Sequence, residues 1–373
     1  MRRIHVIAAR FLNTSGTLEI GGVETYIQLL ATAVSGEFAT TVYQPSAAPY
    51  ETTLPNINVI GMGKLSIHSM VQTIENRYLS HDDLLLFSTE HFSCRHTFNR
   101  VIVIQHGVSW DLPTPLLTTR QVALRAEGAY RVYLSYYMYR KLRHFRNVVC
   151  VDYNYINWWR TLSTTLHRTR TFYCIPNCAG RGFEMTGPRR DNAIVTLCFA
   201  RRFVEIRGLR LFLGAISMLL SRFATLRILL CGSGSQELME LCRRICISEP
   251  RVQHLMAGYD EMPSVLARSD IVVIPSLGSE GTTFSAVEAM AMGCCVVATN
   301  VGGLTNIIID GYNGFLVNPD VESLVEKLTF LLSNRSVMIS VGAQAREIYR
   351  HALSFERWRE RWMSVISNIY TSS

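Results

Sequence analysis

Between Pro275 and Pro319 the chain reads PSLGSEGTTFSAVEAMAMGCCVVATNVGGLTNIIIDGYNGFLVNP, with two carboxylates, Glu280 and Glu288, eight positions apart. The stretch follows an apolar strand ending at Ile274. Glu280 falls in the loop, Gly281–Thr282–Thr283 form the turn, and Phe284–Met292 read as a helix stopped by Gly293. A helix start offers unpaired N–H groups and a partial positive charge, which suit sugar hydroxyls or a diphosphate. Glu288, about one turn inside the helix, reaches a different part of the same extended ligand. The plainer alternative makes Glu280 a loop acid and Glu288 a solvated helix residue.

Three further segments carry chemistry-bearing residues. FARRFVEIRG (199–208) follows a strand and clusters arginines; guanidinium groups keep their charge and grip phosphate with two bonds at once. Cys231–Gly232–Ser233–Gly234 is a glycine-rich strand-to-helix turn. In the first half, Gly21–Gly22–Val23–Glu24 opens a helix, and His106 of Gln105–His106–Gly107 follows the strand Val101–Ile104, at the strand end where α/β folds bind ligands.

In this order the segments resemble the donor-site signature of retaining glycosyltransferases of family 4, which have the GT-B architecture. The signature's Pro-Ser is Pro275–Ser276, its Glu-x7-Glu is Glu280 and Glu288, its Ala-Met-Ala-x-Gly is Ala289–Gly293, its Gly-Gly is Gly302–Gly303, and its Asp-Gly-x-Asn-Gly is Asp310–Gly314. The resemblance implies that Glu280 contacts the donor sugar and Glu288 the ribose hydroxyls. It implies two cations clamping the donor diphosphate; counting back from Gly208 makes them Arg207 and Arg202. The family's glycine in that loop is replaced by Arg201, which leaves a register one residue away as the alternative. The family's Glu-Gly-Phe-Gly-Leu is Glu280–Gly281–Thr282–Thr283–Phe284 here, so Thr283 brings a side chain where glycine allows close approach to the sugar. Gly281, Thr282, Thr283 and Phe284 are candidate donor contacts. The resemblance also brings the Gly21–Gly22 backbone to the donor phosphates and His106 to the reacting sugar, so His106 and Glu280 are the candidate catalytic residues. It implies no metal and no cofactor beyond a nucleoside diphosphate sugar as donor substrate, with a glycan or lipid-linked acceptor. Rivals are a nucleotide-sugar-binding protein without transferase activity and another GT-B enzyme such as a sugar-nucleotide epimerase. A pyridoxal-phosphate phosphorylase is disfavoured, because Lys327 is the only lysine after residue 141.

The elements that must position these residues alternate. In the second half Ala193–Phe199, Leu226–Cys231, Ile271–Ile274 and Cys294–Ala298 are short apolar runs of the kind buried in parallel sheets, with helix-like Leu209–Arg222 and Gln236–Ile247 between them. In the first half the strand candidates are Ile4–Ala9, Thr41–Tyr43, Ile57–Ile60, Leu84–Phe87, Val101–Gln105 and Val148–Val151. The expected fold class is α/β, two Rossmann-like doubly wound domains facing each other across a cleft. The expected division is 1–176 for the acceptor-side domain and 177–354 for the donor domain. A C-terminal helix in 355–373, with Trp358, Trp362, Ile366 and Ile369 at helical spacing, packs back toward the first domain. The hinge falls near Ile175–Cys178, followed by a polar Gly/Arg-rich stretch to Asn192.

A chain of 373 residues favours two domains. Apolar runs such as Leu211–Ser221 stop well short of the ~20 residues that span a bilayer, and the first residues read as a strand, so a soluble, cytoplasmic protein is expected. The ten cysteines sit largely in apolar runs, where a thiol packs as a small hydrophobe, and none shows the paired CxxC spacing of a zinc site. The net charge of +8 is concentrated in residues 1–180, which hold 17 Lys and Arg against 11 Asp and Glu. With the Tyr- and Arg-rich stretch 129–170 this points to an anionic partner, and peripheral contact with the inner face of the cell membrane is an expectation beside an ordinary amphipathic helix or RNA. No nucleic-acid partner is expected.

Overall fold

The computed structural model describes residues 2–19, 21–111, 127–162, 170–185, 193–278 and 280–371. The chain divides into two compact units. One comprises Met1–Gly107, Gly128–Pro176 and Glu356–Ser373; the other comprises Val108–Glu127 and Asn177–Phe355. Parts of the Tyr/Arg-rich stretch (163–169) and of the stretch after the expected hinge (186–192) lie outside the described residues.

In the first unit β1 (Arg2–Ile7), α1 (Gly22–Val34), β2 (Phe38–Gln44), β3 (Pro49–Leu54), β4 (Ile57–Met62), α2 (Ile67–Arg77), β5 (Leu84–Phe87), β6 (Val101–Gln105), α3 (Glu127–Leu142), β7 (Asn147–Cys150), α4 (Asn154–Leu162) and β8 (Thr171–Cys174) follow one another. The strands form one sheet in the order β3-β4-β2-β1-β5-β6-β7-β8. Every pairing is parallel except that of β3 with β4. Helices on the faces of a parallel sheet bury its strands on both sides, so β5 and β6 are apolar without alternation.

The second unit runs α5 (Arg181–Met185), β9 (Val195–Ala200), α6 (Leu209–Leu220), β10 (Leu226–Cys231), α7 (Gln236–Ser248), β11 (Val252–Leu255), α8 (Met262–Ala267), β12 (Ile271–Ile274), α9 (Phe284–Ala291), β13 (Cys295–Thr299), β14 (Phe315–Val317), α10 (Val321–Ser333) and α11 (Arg335–Ile348). Its all-parallel sheet has the order β11-β10-β9-β12-β13-β14. This is the doubly wound Rossmann order, whose direction of winding reverses between β9 and β12 and opens a crevice at their carboxyl ends. Alternate residues of one strand feed two cores. Leu197 and Phe199 pack with α6, while Cys198 faces Ala286 and Met290 of α9. Eight of the ten thiols are buried and all are free.

The last helix, α12 (Phe355–Thr371), turns Trp358, Trp362, Ile366 and Ile369 inward. Within the first unit, Trp362 Nε1 donates to Tyr26 Oη at 3.1 Å, Arg359 Nε to the Ala33 carbonyl at 2.9 Å, and Tyr370 Oη to the Asp82 carbonyl at 2.7 Å.

Candidate active site

The crevice of the second unit lies where β9 runs into Arg201 and β12 into Pro275–Ser276. Three loops are locked together there. Gly208 has φ +73°, and a Cβ on it would collide with the Pro275 carbonyl; the Leu277 amide donates to Ile206 O at 2.9 Å. Glycine is thus required at 208 by backbone conformation and by contact. Gly302 and Gly303 press on the backbone of Glu280 and Gly281, with the Gly303 amide donating to Glu280 O at 2.7 Å. Thr299 Oγ1 donates to Ser276 O at 2.6 Å. Part of the glycine pattern therefore shapes the loop that carries Glu280.

Glu280 is buried, and one oxygen of its carboxylate takes three side-chain hydrogen bonds. Oε1 accepts from Arg201 Nη2 at 2.7 Å, Arg207 Nη1 at 2.5 Å and Ser276 Oγ at 2.5 Å. Arg201 Nη1 also donates to Ser276 Oγ, and Nη2 reaches Thr283 Oγ1 at 3.3 Å. Burial lowers the Arg201 pKa, Glu280 opposes that shift, and the neighbouring Arg207 adds to it. Two guanidinium groups on one carboxylate leave the cluster with net positive charge, the state that attracts a further anion.

The structure separates the two arginines expected to clamp the diphosphate. Arg201 pairs with Arg207 in the crevice, whereas Arg202 is exposed. Alternating strand direction accounts for this: a one-residue slip at the end of β9 turns a side chain to the other face. Thr282 is buried. Its Oγ1 accepts from the Asn177 amide at 2.9 Å and its carbonyl from Asn177 Nδ2, so this buried side chain is engaged with the start of the second unit. Thr283 instead caps α9 without a side-chain cap bond and presents its hydroxyl to Arg201. Gly281 is buried and Phe284 partly so, at the same helix start.

Glu288 lies inside α9 and is buried, not solvated. Burial pushes its carboxyl up to about 8. Its charge is felt by Tyr259 and Cys178, whose own pKa values burial raises first. Tyr259 Oη accepts from the Gly180 amide at 3.2 Å. Arg201, Ser276 and Tyr259 are residues the sequence reading did not choose. The arginine run contained a signal for the first, while Tyr259 opens a short 3-10 turn with no marking pattern.

The other candidates belong to the first unit. Gly21 caps α1 with φ −166°, an extended conformation open to any residue, and a Cβ there would meet the flexible end of Glu24. Gly22 is the exposed first residue of the helix. His106 Nε2 donates to the Ser88 carbonyl at 2.8 Å, and its ring packs edge-on to Tyr26 at 5.1 Å. Burial lowers its pKa to about 4, so the imidazole is neutral near pH 7, with Nδ1 as the acceptor. Glu90, at the carboxyl end of β5, was not singled out by sequence. It is buried, its pKa is raised by burial to about 7, and the His106 backbone amide donates to it. Among the described residues no group of three or more His, Cys, Asp or Glu is placed to hold a metal ion.

A doubly wound unit with two guanidinium groups and two buried carboxyls at its switch point belongs to the proteins equipped to hold an anionic, hydroxyl-rich ligand. Residues 194–334 match the family described as Glycosyl transferases group 1. A D-inositol 3-phosphate glycosyltransferase of Corynebacterium efficiens is 31% identical over 168 residues, 43% of this chain and 39% of that protein. The chain spans about two-fifths or less of the length of the curated relatives it matches. Sucrose-phosphate synthase of Thermosynechococcus elongatus superposes with TM-score 0.78 at 15% identity, over 100% of both chains. Anabaena Alr3699/HepE, solved in complex with UDP-glucose, gives 0.71 at 16% identity, again over 100% of both. At such identities the likeness establishes the fold, which is the α/β GT-B class of two Rossmann-like units.

Proposed function

We propose that this chain is a retaining glycosyltransferase that moves a sugar from a nucleoside diphosphate sugar to an acceptor hydroxyl. The observation that carries the reading is the Arg201–Arg207–Glu280 cluster around the buried Glu280 at the switch point, with Glu288 on the following helix. The UDP-glucose complex of a neighbour with this fold supports the same class of donor. In this reading the donor diphosphate takes Arg201 and Arg207 as its partners, and Glu280 Oε2 accepts from a sugar hydroxyl. Glu288 accepts from the ribose. The bond from the anomeric carbon to the diphosphate oxygen breaks, the guanidinium groups stabilise the charge left on that oxygen, and it takes the proton of the attacking acceptor hydroxyl. His106, neutral, offers Nδ1 to a sugar or acceptor hydroxyl rather than a proton. The guanidinium groups supply the positive charge without a metal. The reaction fits assembly of surface polysaccharide or glycolipid at the cytoplasmic side of the membrane. Incubation with a panel of nucleoside diphosphate sugars and acceptors tests it. Release of nucleoside diphosphate supports transfer. Binding without release indicates a sugar-nucleotide-binding protein, and an altered sugar still on its nucleotide indicates an epimerase.

A further inference from the structure

Between Ile175 and Gly180 the chain passes from the first unit into the second without helix or strand, and Asn177 to Gly180 are all buried. Connecting segments ordinarily run over the surface, because a buried one must find partners for its backbone inside the protein. Here the partner is the loop that carries Glu280. The Asn177 amide donates to Thr282 Oγ1 at 2.9 Å, and Asn177 Nδ2 donates to the Thr282 carbonyl. Asn177 and Thr282 are 5% and 0% exposed, so water does not replace either bond. A carbonyl only accepts, which fixes the nitrogen end of the Asn177 side chain against it. The other end, Oδ1, is buried and takes no hydrogen bond from the described residues. Leucine has nearly the same shape and would bury no polar group, so filling space does not account for an asparagine here.

We infer that Asn177 is a positioning residue of the donor site, holding the Glu280–Thr283 loop in the conformation that presents Glu280 to the two arginines and to the donor sugar. Thr282 stands between Glu280, whose Oε1 takes Arg201, Arg207 and Ser276, and Thr283, whose hydroxyl reaches Arg201. The Gly303 amide fixes one side of this loop through Glu280 O at 2.7 Å, and Asn177 fixes the other through Thr282. Thr283, at the start of α9, makes no side-chain cap bond, so its side chain does not anchor the turn to the helix. Asn177 acts through Thr282 and touches no ligand group itself. The role toward the sugar rests on the transferase reading, whereas the hold on the loop stands without it.

Three variants of the full chain test the inference. Asn177→Ala removes the Nδ2 bond and leaves the backbone bond, and Thr282→Val does the reverse while keeping the side chain's shape. Hydrogen exchange, read by mass spectrometry on peptides spanning 276–291, should quicken on the order of tenfold to a hundredfold in each, the range of one buried hydrogen bond. Peptides of the first unit should keep the parent's rates. Turnover of a sugar nucleotide should fall by a similar factor, while nucleoside diphosphate affinity does not fall, since Arg201 and Arg207 remain. Asn177→Asp keeps the parent's shape but sets a carboxylate against the Thr282 carbonyl; once protonated it donates in place of Nδ2. Its turnover relative to the parent should therefore recover as pH falls from about 8 to about 5, and that of Asn177→Ala should not. Faster exchange with unchanged turnover, or exchange quickened alike in all peptides, would reduce Asn177 to a structural residue and overturn the inference. Parent-like exchange in 276–291, or parallel pH profiles for Asn177→Asp and Asn177→Ala, would overturn it as well. A parent that releases no nucleoside diphosphate from any sugar nucleotide would sink the transferase reading instead, and the exchange rates would still decide whether Asn177 holds the loop.

Discussion

Replacing Glu280 with glutamine keeps the side chain's shape and removes its charge. In the parent, Oε1 alone holds Arg201 at 2.7 Å and Arg207 at 2.5 Å, with side-chain exposures of 5% and 20% for the two arginines. An uncompensated buried ion costs about 3–5 kcal/mol, and the partial exposure of Arg207 places the loss near the lower figure, about 3 kcal/mol. A bound nucleoside diphosphate supplies the missing negative charge, and in the variant it no longer competes with Glu280 for the guanidinium groups. Glu280→Gln should therefore unfold at lower denaturant concentration when empty, and bind nucleoside diphosphate on the order of tenfold more tightly than the parent. Saturating nucleotide should narrow the stability gap, while turnover of a sugar nucleotide falls because the sugar contact is weakened. Urea titrations with and without nucleotide, paired with calorimetric affinities, measure all three. Weaker nucleotide binding by the variant, or an undiminished gap at saturation, would refute the idea that these arginines serve the diphosphate.

The arginines themselves separate cleanly. Arg207→Ala should cut turnover by about 30- to 1,000-fold, as expected for loss of one charge-assisted contact in a closed site, whereas exposed Arg202→Ala should turn over like the parent; the reverse ranking in steady-state rates would restore the other register. Glu288 gives a prediction in pH. Its folded pKa of about 8 lies above the 4.5 of an ordinary glutamate, so the folded chain holds the proton. Its contribution to stability is full below about pH 4.5 and is lost as pH rises towards 8, at up to about 1.4 kcal/mol per pH unit. Glu288→Gln should lack that loss and be more stable than the parent at pH 8.5; parallel pH profiles in thermal unfolding would count against it. Since ribose hydroxyls donate to the charged form, parent nucleotide affinity should rise from pH 7.5 to 9, and that of the variant should stay level.

The strands that sequence made visible are those buried on both sides. Leu226–Cys231, Ile271–Ile274 and Leu84–Phe87 stand in the structure with the bounds their apolar runs predict. The four it left out, β3, β8, β11 and β14, are the edges of the two sheets. An edge strand has one neighbour and much solvent, so it needs no unbroken apolar run: β3, Pro-Tyr-Glu-Thr-Thr-Leu, is mostly exposed. The site was legible where a residue's role is local. The loop of Glu280 and the helix of Glu288 follow from the glycines and the apolar strand before them. Which of two adjacent arginines faces the crevice depends on how β9 ends, and whether Thr282 faces a ligand depends on Asn177, 105 positions away. Contacts across such a separation leave no trace in local spacing. The tyrosines of α3 show the same limit in reverse, since helical spacing alone does not say which face the neighbouring strands cover.

The account stands on the claim that the β9–β12 crevice holds the donor nucleotide. Its most direct measurement is a crystal structure of the chain with a nucleoside diphosphate. The expected density has phosphate oxygens within hydrogen-bond distance of Arg201 and Arg207, ribose hydroxyls on Glu288, and Glu280 released from at least one guanidinium group. Nucleotide density elsewhere, with Glu280 still holding both arginines and Glu288 untouched, would contradict it.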